Sequence, residues 1–292
     1  GVDSREIEVT VLTDREAIHI LEKKTPTCTT TSAGGSEDPR LCPCIALVHG
    51  FGDQAMSWRK ILTAESSRLL PCHYVALDLP GSGDSPPPRP GHDHLYTIEN
   101  YARTLRAVLE KTCSSGQPVT LVGNSMGGWV VTHLALNWPD RVSKLLLLSP
   151  GGLKVGDHSA LEFLSGEPSV EKLQEFQRRA YFKAREIPPQ IWRKIVDKAK
   201  EESAETARML NARKVNGDSD YLDGRLPTLK AQTILFWGKA DRIIPPTDAK
   251  IWKAYAPGII VREVERCGHM PQKECPAEVL RSLHDLGKIG PS

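Results

Sequence analysis

The chain has 292 residues with 38 basic and 36 acidic side chains, so its charge of +2 creates no field that would draw it to nucleic acid or to an anionic membrane surface. This length suits one large domain, or a domain carrying an inserted subdomain, because single cores stop growing near ~250 to 300 residues. Apolar runs such as Leu145 to Leu148 are the length of a strand and far short of a transmembrane helix, so the chain reads as soluble. It opens Gly1-Val2-Asp3 with no apolar h-region behind a charged start, so a targeting segment or anchor is expected to be removed or absent, and the compartment is unknown. The seven cysteines (28, 42, 44, 72, 113, 267 and 275) are an odd number in a chain too large to need staples. They are expected to be free thiols or core residues.

In chain order, Glu6 to Leu12 and Ala17 to Leu21 alternate and are rich in β-branched residues, which predicts an antiparallel hairpin turning at Thr13-Asp14-Arg15. Thr25 to Arg40 is Thr, Ser, Gly and Pro without periodicity and reads as a mobile surface loop. Short apolar strands then alternate with helical stretches: Cys44 to Val48, Tyr74 to Leu77, Val119 to Val122, Lys144 to Leu148, Thr233 to Trp237 and Ile259 to Val264. That rhythm predicts right-handed crossovers and a mostly parallel sheet. Between Gly151 and Thr228 it stops. Ser169 to Phe182, Pro188 to Lys200 and Glu201 to Val215 have helical spacing with capping residues or proline at their starts, which predicts an all-helical insertion. With 14 basic and 13 acidic residues the insertion carries no basic patch, and its apolar residues must face the sheet domain beneath. Among them Leu153, Phe163 and Phe182 are candidates to line a substrate pocket between the two parts.

Gly123-Asn124-Ser125-Met126-Gly127 matches G-x-S-x-G, a weak pattern by itself in a chain with 23 glycines. Its setting strengthens it. The match follows the strand ending at Val122 and opens a helix, Met126 to Asn137, and a nucleophile needs such a strand, tight turn and helix to lift its hydroxyl clear of the sheet. A serine hydroxyl is a poor nucleophile until a base takes its proton, so a histidine must return to the same sheet edge. His269 lies in a turn-rich loop directly after the last predicted strand and before a C-terminal helix near Pro276 to Leu286, where sites form in parallel sheets. His133 within a helix, His19 in the hairpin, His92 and His94 in a polar loop, and His284 on the final helix read as surface or packing residues. The imidazole needs a carboxylate to fix its tautomer, and Asp241 sits just past the strand Thr233 to Trp237 in the same kind of loop. Backbone donors for a developing oxyanion are expected at Met126, after the nucleophile, and at Phe51 in His49-Gly50-Phe51-Gly52, where His49 and Gly50 shape the loop. No metal signature is present: no His or Cys cluster has ligand spacing, and Gly81-Ser82-Gly83 lacks the setting of a dinucleotide loop, so neither metal nor cofactor is expected.

These segments, together with Asp78-Leu79-Pro80-Gly81-Ser82-Gly83-Asp84-Ser85, Trp237-Gly238-Lys239-Ala240-Asp241 and Gly268-His269-Met270-Pro271, resemble the α/β-hydrolase superfamily over nearly the whole chain. The resemblance implies an α/β-hydrolase fold: a mostly parallel eight-stranded sheet with helices on both faces and a helical cap inserted after the sixth strand. Residues 1–150 and 229–292 would form the core and 151–228 the cap. The Ser125 elbow and the turn Ser149-Pro150-Gly151-Gly152 are similar both to capped monoacylglycerol lipases and bacterial lipases and to meta-cleavage product hydrolases, which cut carbon–carbon bonds. Met270-Pro271 after the histidine, where the second group commonly has an aromatic residue, shifts the balance to esters. A serine nucleophile argues against epoxide hydrolases and haloalkane dehalogenases, which use aspartate. The expected partner is a small-molecule ester with a hydrophobic acyl or aryl group, with peripheral membrane contact through the cap. The alternatives are carbon–carbon hydrolysis of a vinylogous diketone by the same triad, and a low-turnover binding protein on the same fold.

Overall fold

The computed structural model describes residues 1–26, 30–31, 37–38, 43–113, 117–155 and 166–288. Eight strands form one sheet: β1 (Asp3–Val11), β2 (Asp14–Lys24), β3 (Cys44–Val48), β4 (His73–Leu77), β5 (Val119–Asn124), β6 (Val142–Leu148), β7 (Gln232–Gly238) and β8 (Ile260–Val264). Their spatial order is β1-β2-β4-β3-β5-β6-β7-β8. The β1–β2 and β2–β4 pairs are antiparallel and all others parallel. The hairpin turns at Leu12-Thr13, since Val11 pairs with Asp14, slightly earlier than the polar cluster suggests. Leu12 takes the left-handed φ of 56° that a tight hairpin turn demands. Of the stretch read as a mobile loop, Thr30–Thr31 pairs antiparallel with Glu37–Asp38, and most of the rest lies outside the described residues.

The helices are α1 (Arg59–Leu62), α2 (Ile98–Thr112), α3 (Met126–Asn137), α4 (Val170–Ala180), α5 (Pro189–Glu201), α6 (Ser203–Asn216), α7 (Asp248–Tyr255), α8 (Pro271–Glu274) and α9 (Pro276–Lys288). β3 and β4 are buried at every position because helices cover both sheet faces, which is why they read as continuous apolar runs. Alternate residues separate two cores. Ala46, Val48 and Leu121 join the residues of α2 and α3, while Ile45, Leu47 and Val122 join those of α1 and α9. At the sheet edge β8 leaves Ile260 and Val261 exposed and breaks its face with Arg262 and Glu263, the charge placement that discourages edge pairing.

Helices α4 to α6 fill the insertion between β6 and β7, after the sixth strand. Ser169 caps α4 by accepting from Lys172 N at 3.3 Å, and α5 starts at Pro189, where a missing N–H costs nothing. The insertion is held to the sheet domain at several points. Trp129 of α3 stacks on Tyr221 at 5.2 Å between ring centroids and donates from Nε1 to Asp220 O at 2.6 Å. Arg208 of α6 reaches Asp93 at 2.5 Å and the carbonyls of Pro88 and Arg89 at 3.1 and 3.3 Å.

The expectation of unpaired cysteines is corrected for four of the seven: Cys44 is bonded to Cys113 and Cys267 to Cys275, with Cα atoms 5.8 and 6.1 Å apart, while Cys28 and Cys42 lie outside the described residues. Pairing depends on approach in the fold, which linear spacing does not express. Cys72 is unpaired and buried, and burial pushes its thiol up to about 12. Cys44–Cys113 joins the first residue of β3 to the end of α2 and closes a separation of 69 residues. Loop-closure entropy for such a ring corresponds to about 4 kcal/mol. Replacing both with Ala is expected to lower the stability in chemical denaturation by about 2–4 kcal/mol, and non-reducing peptide mapping of the wild type should recover both linkages.

Candidate active site

Ser125 connects β5 to α3 and holds φ 55°, ψ −119°, a conformation that L side chains rarely adopt. Local hydrogen bonds hold this geometry. Ser125 N donates to Leu148 O at 3.0 Å, and Ser125 O accepts from Gly151 N at 3.0 Å and Trp129 N at 3.2 Å. The flanking glycines are required sterically: a Cβ on Gly123 would lie 2.4 Å from Gly127 O, and one on Gly127 would lie 2.2 Å from Val48 O. Gly50, in the loop after β3, faces the serine, since a Cβ there would come within 3.1 Å of Ser125 Cβ.

His269 and Asp241 meet as the loop reading expected, with Nδ1 2.8 Å from Asp241 Oδ2 and both residues buried. Asp241 Oδ1 accepts from Ile243 N at 2.8 Å and Ile244 N at 3.0 Å, which fixes the carboxylate and leaves Oδ2 for the imidazole. A carboxylate only accepts, so the pairing puts the proton on Nδ1 and leaves the Nε2 lone pair available as a base. A Ser125 hydroxyl–imidazole hydrogen bond is not among the contacts of the described residues, and such bonds commonly tighten only with substrate bound. The backbones are nonetheless linked. Asn124 Nδ2 donates to His269 O and to Leu148 O, both at 2.9 Å, and Asn124 Oδ1 accepts from Gln272 Nε2 at 3.0 Å.

The histidine loop is tied further. Cys267–Cys275 brackets it, and Gly268 N donates to Glu274 Oε2 at 2.6 Å. The other oxygen of Glu274 accepts from Phe182 N at 2.8 Å, just past α4, and His269 N donates to Ala180 O at 2.6 Å. Burial pushes the Glu274 carboxyl above its usual range, while the N–H groups of Gly268, Phe182 and Lys183 pull it back. The end of the insertion's first helix is thereby attached directly to the loop bearing His269. Asn124, Gln272, Glu274 and the Cys267–Cys275 bond were not singled out in the sequence; the only hint was the position of Asn124 inside the G-x-S-x-G pattern.

On the opposite side of Ser125, His49 is fully buried, with Nδ1 2.7 Å from Gly50 O and Nε2 accepting from Leu79 N at 3.0 Å. Since Leu79 N can only donate, Nδ1 carries the proton and donates to Gly50 O. A trans peptide sets the N–H opposite the C=O, so this bond turns the Phe51 N–H away from the anchored Gly50 carbonyl. Met126 is buried in the first turn of α3, where helix N–H groups and dipole favour an anion. The pocket candidates have different surroundings where the structure describes them. Leu153 is packed in the main core, Phe182 is 42% exposed with the Arg266 guanidinium 5.6 Å above its ring, and Phe163 lies outside the described residues. A depression lined by Lys154, Val155, Tyr221, Asp223 and Gly224 includes none of Ser125, Asp241 and His269.

The sheet order, the strained serine between strand and helix, and the buried His–Asp pair after β8 and β7 define a hydrolase of the α/β class. The profile of the alpha/beta hydrolase family matches residues 45–282, and the chain belongs to that family. Among curated proteins it is similar to monoacylglycerol lipase ABHD6 of Homo sapiens, at 26% identity over 259 residues that cover 84% of this chain and 75% of the relative. Among solved structures it is similar to a membrane phospholipase A described as a bacterial virulence factor, with TM-score 0.78, 24% identity and 98% and 86% of the two chains covered. It matches the 2-hydroxy-6-oxo-6-phenylhexa-2,4-dienoate hydrolase from Rhodococcus sp. strain RHA1 with TM-score 0.78, 22% identity and 99% and 100% coverage. Among the described residues, no helix is long and apolar enough to cross a membrane.

Asn124→Ala removes the donor to two buried carbonyls and the acceptor of Gln272. It is expected to cost about 2–4 kcal/mol in chemical denaturation, and stability within about 0.5 kcal/mol of wild type would contradict this bridging role.

Proposed function

We propose that the chain is a carboxylic ester hydrolase acting through an acyl-enzyme on Ser125. The observation that carries this reading is the buried pair of His269 and Asp241, oriented by Ile243 N and Ile244 N and tied through His269 O to the side chain of Asn124, the residue before Ser125. In the first half-reaction His269 Nε2 takes the Ser125 proton as Oγ attacks the acyl carbon. Negative charge collects on the former carbonyl oxygen, which the N–H groups of Phe51 and Met126 receive. The imidazolium, stabilised by Asp241, then passes its proton to the departing alcohol. In the second half-reaction His269 deprotonates a water that attacks the acyl-enzyme, and Ser125 recovers its proton.

Residues 151–228 act in this reading as a cap over the core formed by 1–150 and 229–292, with Leu153, Phe163 and Phe182 as candidate contacts for a hydrophobic acyl or aryl group. An acylglycerol as the substrate class is supported by the similarity to the human monoacylglycerol lipase. Peripheral membrane contact through the cap is supported by Ile191 and Ile195, which lie one turn apart on α5 and are both exposed.

Ser125→Ala is expected to abolish turnover of p-nitrophenyl esters and labelling by a fluorophosphonate probe while the far-UV circular dichroism is unchanged; retained turnover would refute the assignment. Wild type that cleaves a dienol diketone faster than any ester in a chain-length series would make it a carbon–carbon hydrolase with the same nucleophilic machinery. Asp241→Asn is expected to lower kcat by about 10⁴ with the fold intact, because the amide favours the wrong imidazole tautomer.

A further inference from the structure

Asp14, the first residue of β2, lies beneath two histidines from the segment that enters α2. Its Oδ1 is 2.8 Å from His92 Nδ1 and its Oδ2 3.4 Å from His94 Nε2, and the three ligand atoms lie within 4.8 Å of one another. The two imidazoles are 5.8 Å apart, centroid to centroid. Asp14 is mostly shielded, with its side chain 13% exposed, whereas His92 and His94 are 37% and 46% exposed, so the cluster faces solvent on one side only. Glu16, two residues along β2, projects to the same face of the strand and is itself buried. Burial pushes its carboxyl up and the Asp14 charge pushes it further, with Arg89, His92 and His94 pulling it down.

Two imidazoles and a carboxylate are the donor set of borderline divalent cations. Tetrahedral bonds of about 2.0–2.2 Å place neighbouring donor atoms roughly 3.3 Å apart, so the pairs with Asp14 are already close to coordination spacing. Closing the remaining gap requires only rotation of two part-exposed rings. Nothing in the linear sequence suggests this set, because His-x-His is too short a signal and Asp14 belongs to a distant hairpin.

We propose that Asp14, His92 and His94 form a site for a single zinc-like divalent cation, open to water at its remaining position. The site is separate from Ser125, Asp241 and His269, and its consequence is mechanical. The same segment is gripped by Arg208 of α6 through Asp93, Pro88 O and Arg89 O, so a bound cation braces the opening hairpin, the entry to α2 and the foot of the helical insertion as one unit.

The test titrates the full chain, stripped with a chelator, with Zn²⁺ by calorimetry and with Co²⁺ by visible absorption, beside His92→Gln/His94→Gln and Asp14→Ala. The glutamines keep polar contact with Asp14 but coordinate poorly. Wild type is expected to bind one ion per chain, to show Co²⁺ d–d bands of a low-coordinate site, and to gain thermal midpoint as free Zn²⁺ rises. Both variants are expected to bind at least about tenfold more weakly and to lose that midpoint gain, while keeping wild-type circular dichroism and ester turnover. Equal binding by wild type and the double variant would overturn the proposal by placing the ion elsewhere. Failure of wild type to bind either ion at micromolar concentration would overturn it as well, leaving His92 and His94 as hydrogen-bonding partners of Asp14 alone.

Discussion

A non-glycine residue at φ 55° costs on the order of 1–3 kcal/mol and persists only where its surroundings over-determine it. At Ser125 they do. The backbone N–H is held by the end of β6, the carbonyl by Gly151 and Trp129, and the chain on either side fits against Val48 and the start of α3 with no room for a side chain at Gly123 or Gly127. These partners come from several elements, so the turn is held where β3, β5, β6 and α3 meet. The energy held in the turn is therefore supplied by burial in the two cores on either sheet face, and the geometry of one half-buried serine depends on packing spread across the domain.

The same dependence explains why the loops after β3, β7 and β8 can carry chemistry. All three leave the carboxyl ends of parallel strands, at the same sheet edge as the end of β5, with β3 beside β5 and β7 and β8 following β6 on its other side. What the loops then need is local rigidity, because their backbone polar groups have no sheet to pair with. His49 supplies it after β3 by bonding both Gly50 O and Leu79 N. Asp241 supplies it after β7 by taking two N–H groups of its own loop. Each of these side chains thus orders the loop in which it sits.

Much of this was legible in the order of residues. Buried parallel strands have no polar face, so β3 to β7 announce themselves as apolar runs, and the absence of such runs after Gly151 marks the helical insertion. Ser125, Asp241 and His269 could be chosen because each follows a strand. Side-chain convergence was not legible. Asn124 occupies a variable position of the nucleophile pattern yet spans β6 and the histidine loop, and Glu274 looks like a surface residue of a short helix yet holds Gly268 and Phe182 together. Cys44 and Cys113 are distant in sequence and adjacent in the fold, as are Asp14 and the pair His92 and His94. Periodicity reports which face of an element is buried; it carries no information about which residues of different elements touch.

The loop after β8 has to hold His269 without help from a strand or long helix, and four kinds of restraint converge on it: a disulfide, a carboxylate, a side-chain amide and a helix-terminal carbonyl. Fixing a residue's backbone costs roughly 1–2 kcal/mol, so a short irregular segment needs about that many partners per residue to stay ordered. Two of the restraints, Ala180 O and the Phe182 N–H shared through Glu274, belong to the end of α4. The helices of the insertion therefore cannot shift at that end without releasing hydrogen bonds to the imidazole's own loop. The position of the insertion and that of the His269 imidazole are coupled through these two bonds, and in the proposed reaction, where a displacement of 1 Å at a reacting group can cost about a hundredfold in rate, that coupling reaches the chemistry.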